Sequence, residues 1–417
     1  MSPTPNYHPR MADAHIASLI HAFPAVLVNG PRATGKTTTA RQLAASEVRL
    51  DQPAQAGAFR ADPDAALRGR KEPVLLDEWQ EVPEVLGAVK RSVDDDPRPG
   101  RFILTGSVRS DLEQKVWPGT GRLMRVKMFG LSEREIQGLT SIPKPFFLDA
   151  LAKYSPTAFS LPTVRPDLRG YVEMAIQGGF PGVVLCPATG LRDMWVDSYL
   201  EQLLTRDSHA LVSGRDHHKL ARYFEAVAAN SAGSPEHKTL YDAAGVNIKT
   251  AGTYDDLLAK LFVTEMVPAW AGNHLDRLIK AGKRYVVDTS LLAAAVGATV
   301  DTVLTDNNLL GRMIDTFVMA QLRPEVALSR RRVRLYHLRT KGGREEVDIL
   351  AELPGGKILG LEIKATASPD SSDAKHLRWL CERYPDRFVA GAILHSGPDI
   401  IQLDESIFAV PICAFWG

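Results

Sequence analysis

Three groups of residues have types and spacings that could do chemistry. Gly30, Pro31, Arg32, Ala33, Thr34, Gly35, Lys36 and Thr37 match G-x-x-x-x-G-K-(S/T). In that spacing backbone N–H groups wrap a β-phosphate, and the helix opening at Thr38 adds its positive end. Lys36 reaches the β- and γ-phosphates, and the Thr37 hydroxyl ligates Mg²⁺. The second group is Val74-Leu75-Leu76-Asp77-Glu78-Trp79-Gln80, an apolar run ending in two acids. Asp77 at its tip would hold the Mg²⁺ shell, and Glu78 would orient or deprotonate an attacking water. The third group is Asp348, Glu362 and Lys364, with a Pro-Gly-Gly turn at 354–356 between the first two. A hairpin would bring Asp348 beside Glu362, and alternation along the strand points Glu362 and Lys364 the same way. Two carboxylates and a lysine on one side can hold Mg²⁺ and activate water for phosphodiester cleavage.

Charge adds a fourth feature. Residues 329–344 contain Arg330, Arg331, Arg332, Arg334, Arg339, Lys341 and Arg344 and no acid. That footprint suits a polyanion such as DNA or RNA. A charged edge strand that blocks aggregation is the other reading. Arg122, just before an apolar run, is a candidate phosphate-sensing arginine or an ordinary surface residue.

The elements that must position these groups follow from the apolar runs. Runs at 25–28, 48–50, 74–76, 102–104 and 123–128 alternate with helical patterns, which predicts a parallel α/β sheet over 1–139. The segment 140–169 is rich in proline and reads as a linker. Residues 170–305 read as mainly helical, with helices at 191–204, 216–229 and 253–260 and a strand-like stretch at 283–287. Residues 306–417 become mixed again. They carry helices at 311–322 and 371–382 and strands at 333–338, 346–350, 358–364 and 387–394.

These parts resemble the AAA-like branch of P-loop ATPases, and in particular a prokaryotic family in which such an ATPase precedes a C-terminal region of poorly defined function. The resemblance rests on the 30–37 loop, the Walker B-like Leu75-Leu76-Asp77-Glu78-Trp79-Gln80, Leu104-Thr105-Gly106-Ser107, and Gly178-Gly179-Phe180-Pro181. It implies ATP and Mg²⁺ as cofactors. It also implies Thr105 or Ser107 as a sensor near the γ-phosphate, and Pro181 near the adenine. The spacing D-x13-E-x-K from Asp348 resembles the PD-(D/E)xK nuclease superfamily. That likeness implies a restriction-endonuclease-like α/β domain with Asp315, on the preceding helix, as a third metal ligand. Residues 239–267 resemble a winged helix-turn-helix whose second helix would present Lys249, Thr250 and Tyr254.

Composition frames these expectations. The chain has 417 residues, 50 Lys+Arg against 49 Asp+Glu, and 45% hydrophobic residues, as expected of several soluble domains. Cys186, Cys381 and Cys413 are odd in number and widely spaced, which argues against a disulfide framework or a cysteine zinc site. His217 and His218 are adjacent and would diverge on a helix. No apolar stretch is long enough to span a bilayer, and the N-terminus lacks a secretory pattern. A cytoplasmic location is expected, without membrane association. Oligomerisation is compatible with the ATPase resemblance. The leading expectation is an ATPase coupled to a nuclease-like domain. Two rivals stay open: an ATP-dependent switch with a catalytically inactive C-terminal interaction domain, and a winged-helix DNA-binding regulator.

Overall fold

The computed structural model describes residues 7–107, 121–142, 144–186, 188–208, 216–235, 237–272, 281–340 and 343–417. It divides into two compact units. The first comprises residues 1–131 with 258–262, and the second 132–257 with 263–417.

The first unit is built on five strands: β1 (Ala25–Asn29), β2 (Ser46–Arg49), β3 (Val74–Asp77), β4 (Phe102–Gly106) and β5 (Leu123–Lys127). Their order is β2-β3-β4-β1-β5, and every pairing is parallel. Residues of β1, β3 and β4 are almost all buried, because helices cover both faces of such a sheet. Trp79, Phe59, Val85 and Val89 seal one side of the sheet against the strands. In this order β4 lies between the strand that feeds the Gly-rich loop and the strand that carries the two acids. Strand-end residues from β3 and β4 therefore open beside the loop.

The second unit begins at Ser132. The Pro-rich stretch packs within it: Phe147 and Leu151 are buried, and the Phe147 ring stacks on Phe415 with centroids 4.5 Å apart. Helices follow at Leu168–Gln177, Arg192–Gln202, His217–Ala229, His237–Ala244 and Ile248–Lys260. Two antiparallel strands come next, β6 (Thr264–Val267) and β7 (Lys283–Val286). Of the residues expected on the outer face of helix Ile248–Lys260, Lys249 is exposed but Tyr254 is buried. Its ring packs 5.7 Å from that of Tyr223, so it serves the core and not a docking face.

A mixed six-stranded sheet completes this unit: β8 (Arg334–Arg339), β9 (Glu346–Glu352), β10 (Ile358–Ile363), β11 (Phe388–His395), β12 (Ile401–Asp404) and β13 (Ile407–Pro411). The order is β12-β13-β11-β10-β9-β8, with β10, β11 and β13 parallel and the rest antiparallel. Helix Lys375–Arg383 packs through Leu377 and Leu380 onto Gly360 and Gly391, where a Cβ on Gly360 would lie 2.7 Å from Leu377. The 22-residue helix Asn307–Leu328 also belongs to this unit and carries Asp315. No helix among the described residues is long and apolar enough to cross a membrane.

Candidate functional site

The loop between β1 and the helix Lys36–Arg41 is shaped by its backbone. Gly30 has φ +151°, and a Cβ there would lie 1.9 Å from the Met128 carbonyl oxygen, so only glycine lets the chain pass β5. Gly35, at φ 88°, turns the chain into the helix. Thr34 closes the loop on itself, its hydroxyl donating to the Pro31 carbonyl at 2.9 Å. Lys36 is buried and donates to the same carbonyl at 2.6 Å. Burial pushes its ammonium down to about 8, against the opposing pull of Glu78 and Asp77.

The strand tips meet this loop. Asp77 is buried, and its Oδ1 accepts from the Thr37 hydroxyl at 2.6 Å and from the Thr105 hydroxyl at 2.5 Å. Glu78 follows with a left-handed backbone, φ 54°, a conformation that costs a non-glycine residue roughly 1–3 kcal/mol. Its Oε2 accepts from the Ser107 hydroxyl at 3.2 Å and from the Gln80 amide. Thr37 and Thr105 thus share Asp77, Gln80 and Ser107 share Glu78, and the Lys36 ammonium feels the charge of both acids. Arg122 pairs with Asp94 at 2.9 Å, so its charge is already engaged. Pro181 opens the helix Pro181–Val184 in the second unit. Its Gly178-Gly179 turn is fixed by Asp288, whose Oδ2 accepts from the Gly179 N–H at 2.9 Å.

Arg10 belongs to no motif and is legible only in the fold. Its buried guanidinium donates to the Thr34 carbonyl at 2.7 Å and to the Phe129 and Gly130 carbonyls at 2.9 and 3.1 Å. It ties the loop to the segment after β5. Tyr7 adds a contact 3.0 Å from the Thr39 hydroxyl. An arginine in a polar arm carries no sequence signal for this role, because its partners are backbone carbonyls.

In the second unit the hairpin of β9 and β10 places Asp348 beside the end of β10. Asp348 Oδ2 accepts from the Ile363 N–H at 3.0 Å, where the ladder of paired strands has ended. Asp315, Asp348, Glu362 and Lys364 line one cavity of about 640 Å³, together with Arg312 and Arg339. Lys364 stands 3.6 Å from Glu362. Sequence reasoning missed Lys283, the buried cation at the centre of this group. Its ammonium donates to Asp315 Oδ2 at 2.6 Å and to Asp348 Oδ1 at 3.2 Å. Two residues on, Tyr285 projects from the same face of β7 and donates to Asp315 Oδ1 at 3.0 Å.

Among the described residues no group of three or more His, Cys, Asp or Glu is arranged to hold a metal ion. The ligand set expected of Asp315, Asp348 and Glu362 is therefore not assembled, and the Lys283 ammonium stands between the first two. Burial opposes the charge on Lys283, but the nearby Asp315, Tyr285 and Asp348 hold it protonated well above the usual lysine range. Burial raises Asp315 to about 6 despite Lys283. Burial and the neighbouring Asp348 push Glu362 well above the usual carboxylate range.

The cationic stretch lies on and before β8, the edge of the six-stranded sheet. Arg330, Arg332 and Arg334 are exposed, Arg331 pairs with Asp149 at 3.3 Å, and Arg339 pairs with Glu346 at 3.6 Å. Lys341 lies outside the described residues.

Comparison with known proteins divides the chain in three. Residues 22–137 match the family model described as AAA domain. Residues 168–302 and 310–415 match two models, each described as a domain of unknown function. Two uncharacterized proteins, from Mycobacterium bovis and Mycobacterium tuberculosis, are each 27% identical over 407 residues, 96% of this chain and 83% of theirs. The solved structure of a Walker-type ATPase of Pyrococcus abyssi matches with a TM-score of 0.42 at 12% identity, over 70% of this chain and 97% of that one. Residues 22–137, with their Gly-rich loop and parallel five-stranded sheet, thus match an AAA domain.

Proposed function

We propose that the first unit binds ATP with Mg²⁺ and hydrolyses it, using Lys36, Thr37, Asp77 and Glu78 with Thr105 and Ser107 as supporting groups. The convergence of the Thr37 and Thr105 hydroxyls on one Asp77 oxygen carries this reading. A hydroxyl and a carboxylate side by side are hard oxygen donors that suit Mg²⁺, and Thr37 with Asp77 would hold it. When bound, the metal supplies charge neutralisation at the phosphate oxygens. Lys36 would exchange the Pro31 carbonyl for phosphate oxygens, regaining charge-assisted hydrogen bonds. Glu78, oriented by Gln80 and Ser107, would accept a proton from the water that attacks the γ-phosphorus as the bond to the leaving ADP breaks. A Lys36→Ala variant should bind ATP about 100-fold more weakly or worse, because about 3 kcal/mol is the scale of a buried charge-assisted contact. Equilibrium binding of ATP at wild-type strength by Lys36→Ala would refute this assignment.

For the second unit, the lysine between Asp315 and Asp348 favours an interaction module over a metal-dependent nuclease. ATP turnover would then switch how this module engages a partner. Exposed cations on and before β8 support DNA or RNA as that partner. Plasmid DNA or RNA incubated with the protein and Mg²⁺ or Mn²⁺ should remain intact. Cleavage that disappears in both Asp348→Ala and Lys364→Ala would restore the nuclease reading.

A further inference from the structure

The acid cluster of the second unit has the ingredients of a divalent-cation site but a different occupant. Hard cations such as Mg²⁺ and Mn²⁺ need several oxygen ligands at about 2.0–2.2 Å around one point. Between Asp315 Oδ2 and Asp348 Oδ1 that point is filled by Lys283 Nζ, 2.6 and 3.2 Å from the two oxygens. The outer oxygens are engaged as well, Asp315 Oδ1 by the Tyr285 hydroxyl and Asp348 Oδ2 by the Ile363 N–H. Lys283 is 3% exposed and sits on a paired strand, so its ammonium is held among these acids and away from solvent. One oxygen remains without a partner: Glu362 Oε1 is buried, meets no donor, and belongs to a residue lining the same cavity.

We infer that Lys283 is the resident cation of a latent metal site: the cluster excludes divalent metal while this lysine is present, and admits one ion when it is removed. The inference deepens the reading of this unit as a non-cleaving module. Removing the ammonium leaves the Asp315 and Asp348 carboxylates facing each other, with Glu362 Oε1 as the next donor. Two carboxylates left with no cation between them in a buried pocket repel one another, and a divalent ion relieves that repulsion. Monovalent lysine already does so in the native chain. The lysine comes from β7, in the region matched to one domain of unknown function, while Asp315, Asp348 and Glu362 lie in the region matched to the other. The state of the acid cluster is therefore set from outside the segment that carries the acids.

The test is Mn²⁺ binding to the full chain without nucleotide, followed by the electron paramagnetic resonance of free Mn²⁺. Wild type and Asp348→Asn should bind the same amount, so that no binding depends on Asp348. Lys283→Ala should gain about one Mn²⁺ per chain and lose it again in Lys283→Ala/Asp348→Asn. Its melting temperature should rise with Mn²⁺, whereas that of wild type should not. Mn²⁺ binding by wild type that Asp348→Asn abolishes would overturn the inference. So would a folded Lys283→Ala that gains no ion. If Lys283→Ala does not fold, the wild-type and Asp348→Asn comparison still decides. Nucleic-acid cleavage is scored separately. Metal exclusion with intact cleavage would sink the non-cleaving reading but not this one.

Discussion

In the proposed nucleotide site, the single side chain of Lys36 should make binding depend on pH. In the free protein burial holds its ammonium down to about 8, and its hydrogen bond goes to the Pro31 carbonyl. Phosphate oxygens favour the charged form, so bound nucleotide raises this value. Below pH 8 the lysine is already protonated, and affinity should be flat. Above pH 8 binding must take up a proton, and ATP affinity should fall by up to about tenfold per pH unit until the bound-state value is reached. Lys36→Arg keeps its charge across this range and should give a flat profile in the same titration, at reduced affinity. A wild-type profile that is flat from pH 7 to 10 would show that Lys36 does not meet the phosphates. At the same scale, the cations of β8 make a separable prediction. Replacing Arg330, Arg332 and Arg334 together by alanine should weaken DNA or RNA binding in a gel shift. It should also reduce the slope of log affinity against log salt by roughly 2–3.

At the scale of elements, the strand order decides which residues meet. Because β4 separates β1 from β3, the Thr105 hydroxyl reaches Asp77 and Ser107 reaches Glu78. Thr105→Val should lower the turnover number about tenfold with a smaller change in KM, since it removes one buried hydrogen bond to Asp77. Gly106 is the tight point of this arrangement. A Cβ there would lie 2.6 Å from Trp79 Nε1 and 2.9 Å from Gln80 Oε1, the side chain that orients Glu78. Gly106→Ala should cost about 1–3 kcal/mol in thermal unfolding and also depress ATP hydrolysis. The five strands of this sheet are legible in the sequence, since fully buried parallel strands read as short continuous apolar runs. So is the hairpin that brings Asp348 toward Glu362, because its turn and alternation are local. Lys283 is not legible in the same way. It stands 32 residues before Asp315 and 65 before Asp348, and only tertiary contacts from β7 to the helix Asn307–Leu328 and to β9 join them. Arg10 escapes for the same reason, since its partners lie 24 and 119 residues away.

Across the whole molecule, a balance of 50 cations against 49 anions conceals unlike parts. The first unit places two acids at a strand tip beside a Gly-rich loop and the lysine that follows it. The second buries a lysine within an acid cluster and shows arginines along a sheet edge. Such a division suits a chain in which one unit turns over nucleotide and the other engages a partner. Nucleotide turnover by the first unit is the central prediction. Its most direct test is a single-turnover measurement comparing wild type with Glu78→Gln, in which protein in excess of radiolabelled ATP and Mg²⁺ is followed for both bound nucleotide and released phosphate. Glu78→Gln should retain ATP with affinity within about threefold of wild type and release phosphate at least about 100-fold more slowly, the scale of losing a general base. Phosphate release by Glu78→Gln at the wild-type rate would show that Glu78 is not the base, and no ATP bound by wild type would show that the first unit is not a nucleotide site.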